Sequence, residues 1–202
     1  MVVLHPQSTP DMAKKPIPHP ILLTCRLRLR QFREDDADAM HECFGDPDVM
    51  RFWNLSVHTK RIETERAVRN YINCTPSYYR FWAVADAGSD RCIGLVAYYD
   101  GHIRSKRASI GYMVNPVCHR QGIATEAVSA MLDHCFSELH LHRVQAFIHP
   151  DNTASRAVVE KFGFRCEGLL RDNERVGDVW HDEMLYALLN TDYVSHEAKK
   201  SG

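Results

Sequence analysis

The fold is decided by residues 109–127, which read SIGYMVNPVCHRQGIATEA. The first seven residues alternate along the chain, which predicts a strand over 109–115 that stops at Pro116, since proline cannot donate to a ladder. From Gly122 apolar residues recur every three or four positions, which predicts an amphipathic helix of about four turns. A strand that leads through a short loop into a helix directs unpaired N–H groups and a positive dipole end at one point. This geometry binds phosphate.

The loop differs from the best-known phosphate-binding loops. It has no Gly-Lys-Ser/Thr end, which excludes a P-loop, and no further glycines at dinucleotide-fold spacing. Residues 119–124, HRQGIA, resemble the Gln/Arg-x-x-Gly-x-Gly/Ala motif with which GNAT acetyltransferases hold the pyrophosphate of coenzyme A. His119 departs from that pattern at the first position. An ordinary strand–loop–helix unit is the alternative interpretation of these six residues.

Length, charge and cysteine content are those of an ordinary globular chain. The 202 residues suit one domain, and 25 Lys and Arg against 26 Asp and Glu give no overall field that would recruit nucleic acid or a membrane. Seven cysteines without a Cys-x-x-Cys pair indicate free thiols in a reducing compartment. We find neither a signal peptide nor an apolar run near the ~20 residues of a membrane span, and therefore expect a cytoplasmic protein.

The remaining chain predicts one domain over residues 21–192, between an N-terminal tail (1–20) and a C-terminal tail (193–202). Further strands are predicted over 24–30, 79–85, 92–99, 144–149, 164–170 and 179–188. Further helices are predicted over 34–44, 59–73 and 153–162. A loop is expected around 173–178. The resulting order βααβββαβαββ is typical of an α+β fold without internal repeats.

That order is also the GNAT order, so the resemblance extends over about residues 22–190. Four further pieces carry it: residues 24–30 with Asp36, residues 46–50, residues 152–155 leading to 162–164, and Gly177 with Asp182 and Tyr186. They are most similar to the branch that contains the ribosomal-protein N-terminal acetyltransferases. The resemblance implies a mixed, mostly antiparallel central sheet, splayed at the acetyl-CoA site and flanked by helices.

The resemblance also implies how acetyl-CoA is held. The cofactor-binding residues it indicates are Met113, Val114, His119, Arg120, Gln121, Gly122, Ile123, Ala124, Thr125, Asn152 and Ser155. Backbone N–H groups near Met113 and Val114 could stabilise the oxyanion that forms when an amine attacks a thioester. Ser155 matches a family position that protonates the leaving thiolate, although a serine in a first helical turn can also serve as a cap.

For the general base we favour Glu174, where this branch often places a carboxylate, although an exposed turn carboxylate is the plain alternative. Asp182 and Glu183 alternate along one strand, so only one of them can face the cleft, and Asp182 matches the family. We place Asp182, Trp53 and Tyr112 at the acceptor, with Tyr112 a lesser candidate acid.

The predicted activity is direct, acetyl-CoA-dependent transfer to a primary amine, with a protein or peptide α-amine as the favoured acceptor. A small amine (a polyamine, amino acid or drug) is the alternative enzyme substrate, and a non-catalytic acyl-CoA-binding module is the alternative class. We expect no metal site, because His134, His140 and His142 have no further ligand at suitable spacing. We expect no nucleic-acid or membrane partner, and either a monomer or a homodimer.

Overall fold

A single eight-stranded sheet forms the centre of the computed structural model, which describes residues 19–75, 78–102 and 104–194. Its strands are β1 (Leu22–Leu23), β2 (Leu27–Gln31), β3 (Arg80–Asp86), β4 (Cys92–His102), β5 (Arg107–Val114), β6 (Arg143–Ile148), β7 (Arg165–Val176) and β8 (Val179–Leu189). The spatial order is β1-β2-β3-β4-β5-β6-β8-β7. All neighbours are antiparallel except β5 and β6. The predicted mixed, mostly antiparallel α+β fold is therefore confirmed.

Helices cover both faces of the sheet. They are α1 (Ala37–Phe44), α2 (Pro47–Met50), α3 (Arg61–Ile72), α4 (Ile123–Asp133) and α5 (Thr153–Glu160). Alternation along β3 shows the two cores: Ala83 packs with α1–α3, whereas Trp82 and Val84 pack with α4. A π-helical turn, His134–Glu138, continues α4, so the predicted four-turn amphipathic segment is present. None of the helices within the described ranges is long and apolar enough to cross a bilayer.

Two short elements, β1 and α2, were not predicted. In α2, the Asp46 side chain accepts from the N–H of Asp48 (2.8 Å) and Pro47 stands at the first helical position. Four residues are too few for a helical period to show in the sequence. The helix predicted over 59–73 spans Arg61–Ile72, with Lys60 at the N-cap position.

The last hairpin is longer and tighter than the sequence predicts. Its strands continue to Val176 and resume at Val179, so the turn is only Gly177 and Asp178, with Gly177 at φ 61°. The predicted loop at 173–178 is thus wrong. The pairing register shifts between Leu170 and Glu174, which makes residues 171–173 a bulge. A bulge breaks the two-residue alternation on which strand prediction depends.

The parallel strands β5 and β6 pair over a short length and then separate. Their register runs only from Arg107↔Arg143 to Ser109↔Gln145, although β5 continues to Val114. At the last pair, Gln145 Nε2 donates to Ser109 Oγ (3.1 Å). We call the gap beyond this pair the wedge.

The ends of the described chain pack against the domain. The Trp82 indole N–H donates to the carbonyl of Pro20 (2.9 Å), and the Tyr193 hydroxyl donates to Asp133 (2.9 Å). Most of both predicted tails, residues 1–18 and 195–202, lies outside the described residues.

Candidate active site

The N-terminus of α4 offers a set of unpaired backbone donors at the wedge. The first helical hydrogen bond runs from the N–H of Glu126 to the carbonyl of Gly122 (3.0 Å). The preceding N–H groups of Ile123, Ala124 and Thr125 therefore have no acceptor within the helix, and no side chain caps this end. Gly122 adopts φ 77°, a conformation that favours glycine. These donors and the helix dipole make a site for an anion.

The loop before α4 uses its side chains to brace itself. His119 Nε2 donates to the carbonyl of Val114 (2.9 Å), and Gln121 Nε2 donates to the carbonyl of Val117 (2.9 Å). Arg120 is exposed, with a left-handed φ of 60°. The unusual histidine thus ties the loop to β5.

A clamp formed by two residues just before β2 holds the first turn of α4. Arg26 Nε donates to Glu126 (2.7 Å), Arg26 Nη1 donates to the carbonyl of Gln121 (3.0 Å), and Thr24 Oγ1 donates to Glu126 (2.5 Å). Burial acts to raise the pKa of Glu126, but the hydrogen bonds from Thr24 and Arg26 outweigh it and lower that pKa. This role of Arg26, which lies just before β2, was not predicted from the sequence.

Hydrogen bonding along β5 determines which backbone groups face the wedge. The N–H of Asn115 donates to the carbonyl of Ile93 on the β4 side (2.8 Å). Because donors alternate along an antiparallel strand, the N–H of Met113 also faces β4, whereas those of Tyr112 and Val114 face the wedge. Of the two residues expected to stabilise an oxyanion, only Val114 directs its N–H there.

The first turn of α5 closes the other side of the wedge. Asn152 Oδ1 accepts from the N–H of Ser155 (3.0 Å), so Asn152 is the helix cap and Ser155 is not. The Tyr112 hydroxyl donates to the carbonyl of Ser155 (3.0 Å). Burial raises the pKa of Tyr112 to about 12, while the Ser155 side chain acts in the opposite direction. The two candidate acids are therefore neighbours.

A cavity of about 220 Å³ lies on the α1–α3 face of the sheet. Phe52 and Trp53 contribute apolar walls, and Glu174 lines the same cavity. Trp53 also reaches β5, since a Cβ placed on Gly111 would lie 3.7 Å from Trp53 Cη2. Gly111 precedes Tyr112, so these two β5 residues point to opposite faces of the sheet. The structure thus brings the predicted Trp53 and Glu174 together, on the face opposite Tyr112 and Ser155.

The β7–β8 hairpin places Glu183, and not Asp182, at the cavity. Asp182 Oδ1 accepts from the N–H of Asp172 in the bulge (2.9 Å). His181 and Glu183, on the other face of β8, both line the cavity. Asp182 therefore braces the hairpin, where the sequence analysis had placed it beside the acceptor.

Glu183 is held in a partly desolvated position. Asn173 Nδ2, also in the bulge, donates to Glu183 Oε2 (2.7 Å). Burial raises the pKa of Glu183, the Asn173 hydrogen bond acts to lower it, and the nearby charge of Glu174 raises it further. The cavity therefore contains two carboxylates close enough to interact.

Two histidines in the cavity were not predicted. His149 follows β6 directly, and its ring lies 5.7 Å from that of His181 and 5.1 Å from that of Phe52. The sequence signal that could have indicated His149 is its position between the end of a predicted strand and Asn152, the cap of the next helix. Across the described part of the chain, no group of three or more His, Cys, Asp or Glu side chains could hold a metal ion.

Comparison with known proteins places this fold and site in a family. The model of the acetyltransferase (GNAT) domain matches residues 26–165. The chain is 30% identical to the uncharacterized N-acetyltransferase YoaA of Bacillus subtilis (strain 168) over 175 residues, 84% of this chain and 97% of that protein. A solved GNAT-family acetyltransferase from Bacillus anthracis is 31% identical, with a TM-score of 0.77 over 85% of this chain and 99% of that one.

The chain therefore belongs to the GNAT acetyltransferase family, whose members use acetyl-CoA, and it is an N-acetyltransferase. These matches support an enzyme and not the alternative class, a non-catalytic acyl-CoA-binding module.

Two further solved structures show the same fold at 22% identity. RimL, a ribosomal L7/L12 alpha-N-protein acetyltransferase, has a TM-score of 0.75 over 87% of this chain and 97% of its own. A spermidine N-acetyltransferase from Vibrio cholerae, in complex with CoA and spermine, has a TM-score of 0.72 over 84% of this chain and 99% of its own. At this identity the two structures show that the fold is shared, and they do not determine which kind of acceptor this chain uses.

Proposed function

We propose that this enzyme binds acetyl-CoA along the wedge and transfers the acetyl group directly to the α-amine of a peptide or protein N-terminus held in the cavity. The observation that carries the proposal is the arrangement around β5. Its wedge-facing edge borders the anion site at α4, while Gly111 on the same strand adjoins the cavity wall at Trp53. An acceptor in the cavity and a thioester in the wedge would meet at this strand.

The chain's own groups fit coenzyme A. The N–H groups at the start of α4 and the exposed Arg120 would hold the pyrophosphate, with Gln121 and His119 bracing the loop. Bound acetyl-CoA supplies the thioester carbonyl. The N–H of Val114 faces the wedge and would donate to the carbonyl oxygen, where negative charge develops as the amine attacks.

Two proton transfers would complete the reaction. Glu174, at the cavity wall, would accept the proton of the acceptor ammonium group directly or through a water molecule. Ser155, beside the Tyr112 hydroxyl, would protonate the leaving thiolate and regain its proton from the nitrogen of the tetrahedral intermediate. Because the pKa of Tyr112 is raised to about 12, its hydroxyl remains a donor throughout the physiological range.

An α-amine is favoured over an alkylamine by its acidity. Its pKa of ~8 lies more than two units below that of lysine, ~10.4, so less assistance is needed to deprotonate it. A polyamine is the second candidate, because Glu174 and Glu183 give the cavity negative charge that would attract a polycation. The spermidine N-acetyltransferase with the same fold is consistent with this second candidate.

A turnover assay across acceptors tests the proposal. We expect peptides with free N-termini to be acetylated with a higher kcat/KM than spermidine or lysine, and the same peptides with blocked N-termini to be inert. Mass spectrometry should place the acetyl group on the α-amine. If spermidine alone were acetylated efficiently, the acceptor would be a polyamine and not a peptide N-terminus.

A further inference from the structure

We propose that the cavity selects amines that carry a carbonyl group on the adjacent carbon. In this arrangement His149 donates its Nε2–H to that carbonyl oxygen while Glu183 attracts the ammonium group. The inference deepens the proposed function and rests on it, since it concerns how the same cavity distinguishes a peptide N-terminus from an alkylamine.

The tautomer of His149 follows from a backbone contact. The N–H of Asp151 lies 3.1 Å from His149 Nδ1 and donates to it. A backbone amide N–H can only donate, so Nδ1 carries the lone pair and the ring proton of the neutral imidazole lies on Nε2. The Asp151 carboxylate stands 3.9 Å from the same Nδ1. The other ring nitrogen, Nε2, is therefore the donor that His149 offers to the cavity.

Aromatic neighbours hold the ring of His149 in place. Phe52 lies 5.1 Å from it and His181 lies 5.7 Å from it, measured between ring centroids. All three side chains line the cavity. A donor whose ring is fixed by packing and by a backbone hydrogen bond loses little entropy when a ligand binds.

Glu183 lies next to His149 across the sheet. Ile148, the last residue of β6, pairs with Met184, so the following position on β6 and the preceding one on β8 bring His149 and Glu183 side by side. Asn173 holds Glu183 Oε2 and so orients the carboxylate. The cavity therefore combines a fixed N–H donor with a carboxylate at neighbouring positions.

This combination fits one class of amine. An α-amino carbonyl group presents a cation and, two bonds from the nitrogen, an oxygen with lone pairs that can accept from Nε2–H. A polyamine presents only N–H donors when it is protonated, so the imidazole donor would remain unpaired beside it. A donor that a bound amine covers without offering an acceptor is left unsatisfied, which disfavours alkylamines.

The test compares a peptide that has a free N-terminal amine with its alkene isostere, in which a carbon–carbon double bond replaces the first peptide bond and removes the carbonyl oxygen. We expect the unmodified enzyme to prefer the peptide at least tenfold in kcat/KM. His149→Phe, which keeps a ring but has no donor, should reduce that ratio severalfold, down to the preference that the lower pKa of the peptide amine gives by itself. His149→Gln, which retains an N–H donor, should preserve part of it. A free amino acid, compared with the peptide, separates the two sources of α-amino carbonyl groups.

His142→Phe serves as the matched control, because this exposed histidine lies outside the cavity and should leave the ratio unchanged. Melting temperature and coenzyme A affinity verify that each variant is folded. A ratio that His149→Phe leaves unaltered would overturn the inference while leaving peptide acetylation intact. Turnover of alkylamines but of neither peptide nor isostere would instead refute the proposed function itself.

Discussion

The loop before α4 and the cavity both adjoin β5, yet they are built from different groups. The loop comes from one continuous stretch, residues 109–126, and offers mainly backbone N–H groups. The cavity collects side chains from α2 and the residues after it, the end of β6 and the β7–β8 hairpin. A site made of backbone tolerates changes of side chain, as His119 illustrates, whereas a site made of side chains depends on each of them.

Substitutions in the two regions should therefore affect activity in different ways. A substitution in the loop should weaken cofactor binding and so reduce the rate equally for every acceptor. A substitution in the cavity should leave the affinity for the cofactor unchanged and alter kcat/KM to a different extent for each acceptor.

The largest effect is expected in the cavity, at Glu174. Glu174→Gln keeps the shape of the side chain and removes its ability to accept a proton, so kcat/KM for the acceptor should fall ten- to a hundredfold, roughly 1.4–2.7 kcal/mol. Raising the pH toward the pKa of the amine should recover part of the loss, because solvent then deprotonates the acceptor. The deficit at pH 7 should be smaller for an α-amine than for any alkylamine that the enzyme accepts.

Rates from pH 6 to 9 with both kinds of acceptor measure this effect. Asp178→Asn, which removes a charge from the hairpin turn outside the cavity, is the matched control and should retain the parent rate. Equal rates for Glu174→Gln and the parent at every pH would assign proton removal to another group or to water.

The next largest effect is expected in the loop. Gly122→Asp should weaken coenzyme A at least tenfold, about 1.4 kcal/mol, because it places a negative charge at the expected pyrophosphate site. Gly122→Asn has the same size and also tolerates a left-handed φ, so its smaller loss isolates the effect of charge. Calorimetry measures both affinities. An unchanged affinity for Gly122→Asp would remove the loop from the cofactor site.

The smallest effects separate Ser155 from Asn152. Ser155→Ala should lower kcat by up to about tenfold with cofactor affinity unchanged, since a thiolate of pKa ~8.5 leaves with little help. Asn152→Ala should instead lose about 1 kcal/mol of stability, because Asn152 caps α5. Kinetics and thermal melting on both variants distinguish them. A Ser155→Ala enzyme with the parent kcat would leave the thiolate without a protein acid at this position.

The contrast between the two regions also explains what sequence could predict. Strand β5, its end before Pro116 and helix α4 depend on local periodicity and on one proline, so they were predicted closely. The clamp between Arg26 and Glu126 joins residues a hundred positions apart and leaves no local pattern.

The hairpin shows a second limit of sequence reasoning. Alternation correctly indicates that only one of Asp182 and Glu183 faces the cavity, but it does not say which one. The bulge at 171–173 decides, because it gives Asp182 a backbone N–H to bind. The donor tautomer of His149 likewise depends on a turn contact with Asp151 that spacing alone does not reveal.

Because the pairing of β5 with β6 is short, a ligand bound in the wedge would contribute to the stability of the fold. Within the described residues, the ladder between β5 and β6 has three pairs, and it connects the β1–β5 part of the sheet to β6, β8 and β7. With coenzyme A bound in the wedge as proposed, the cofactor would contact both parts of the sheet and stabilise their association. Mass action then ties folding to cofactor supply: a ligand at a hundred times its Kd adds about 2.7 kcal/mol of stability. The abundance of the folded enzyme in a cell would follow the level of coenzyme A as well as its own synthesis.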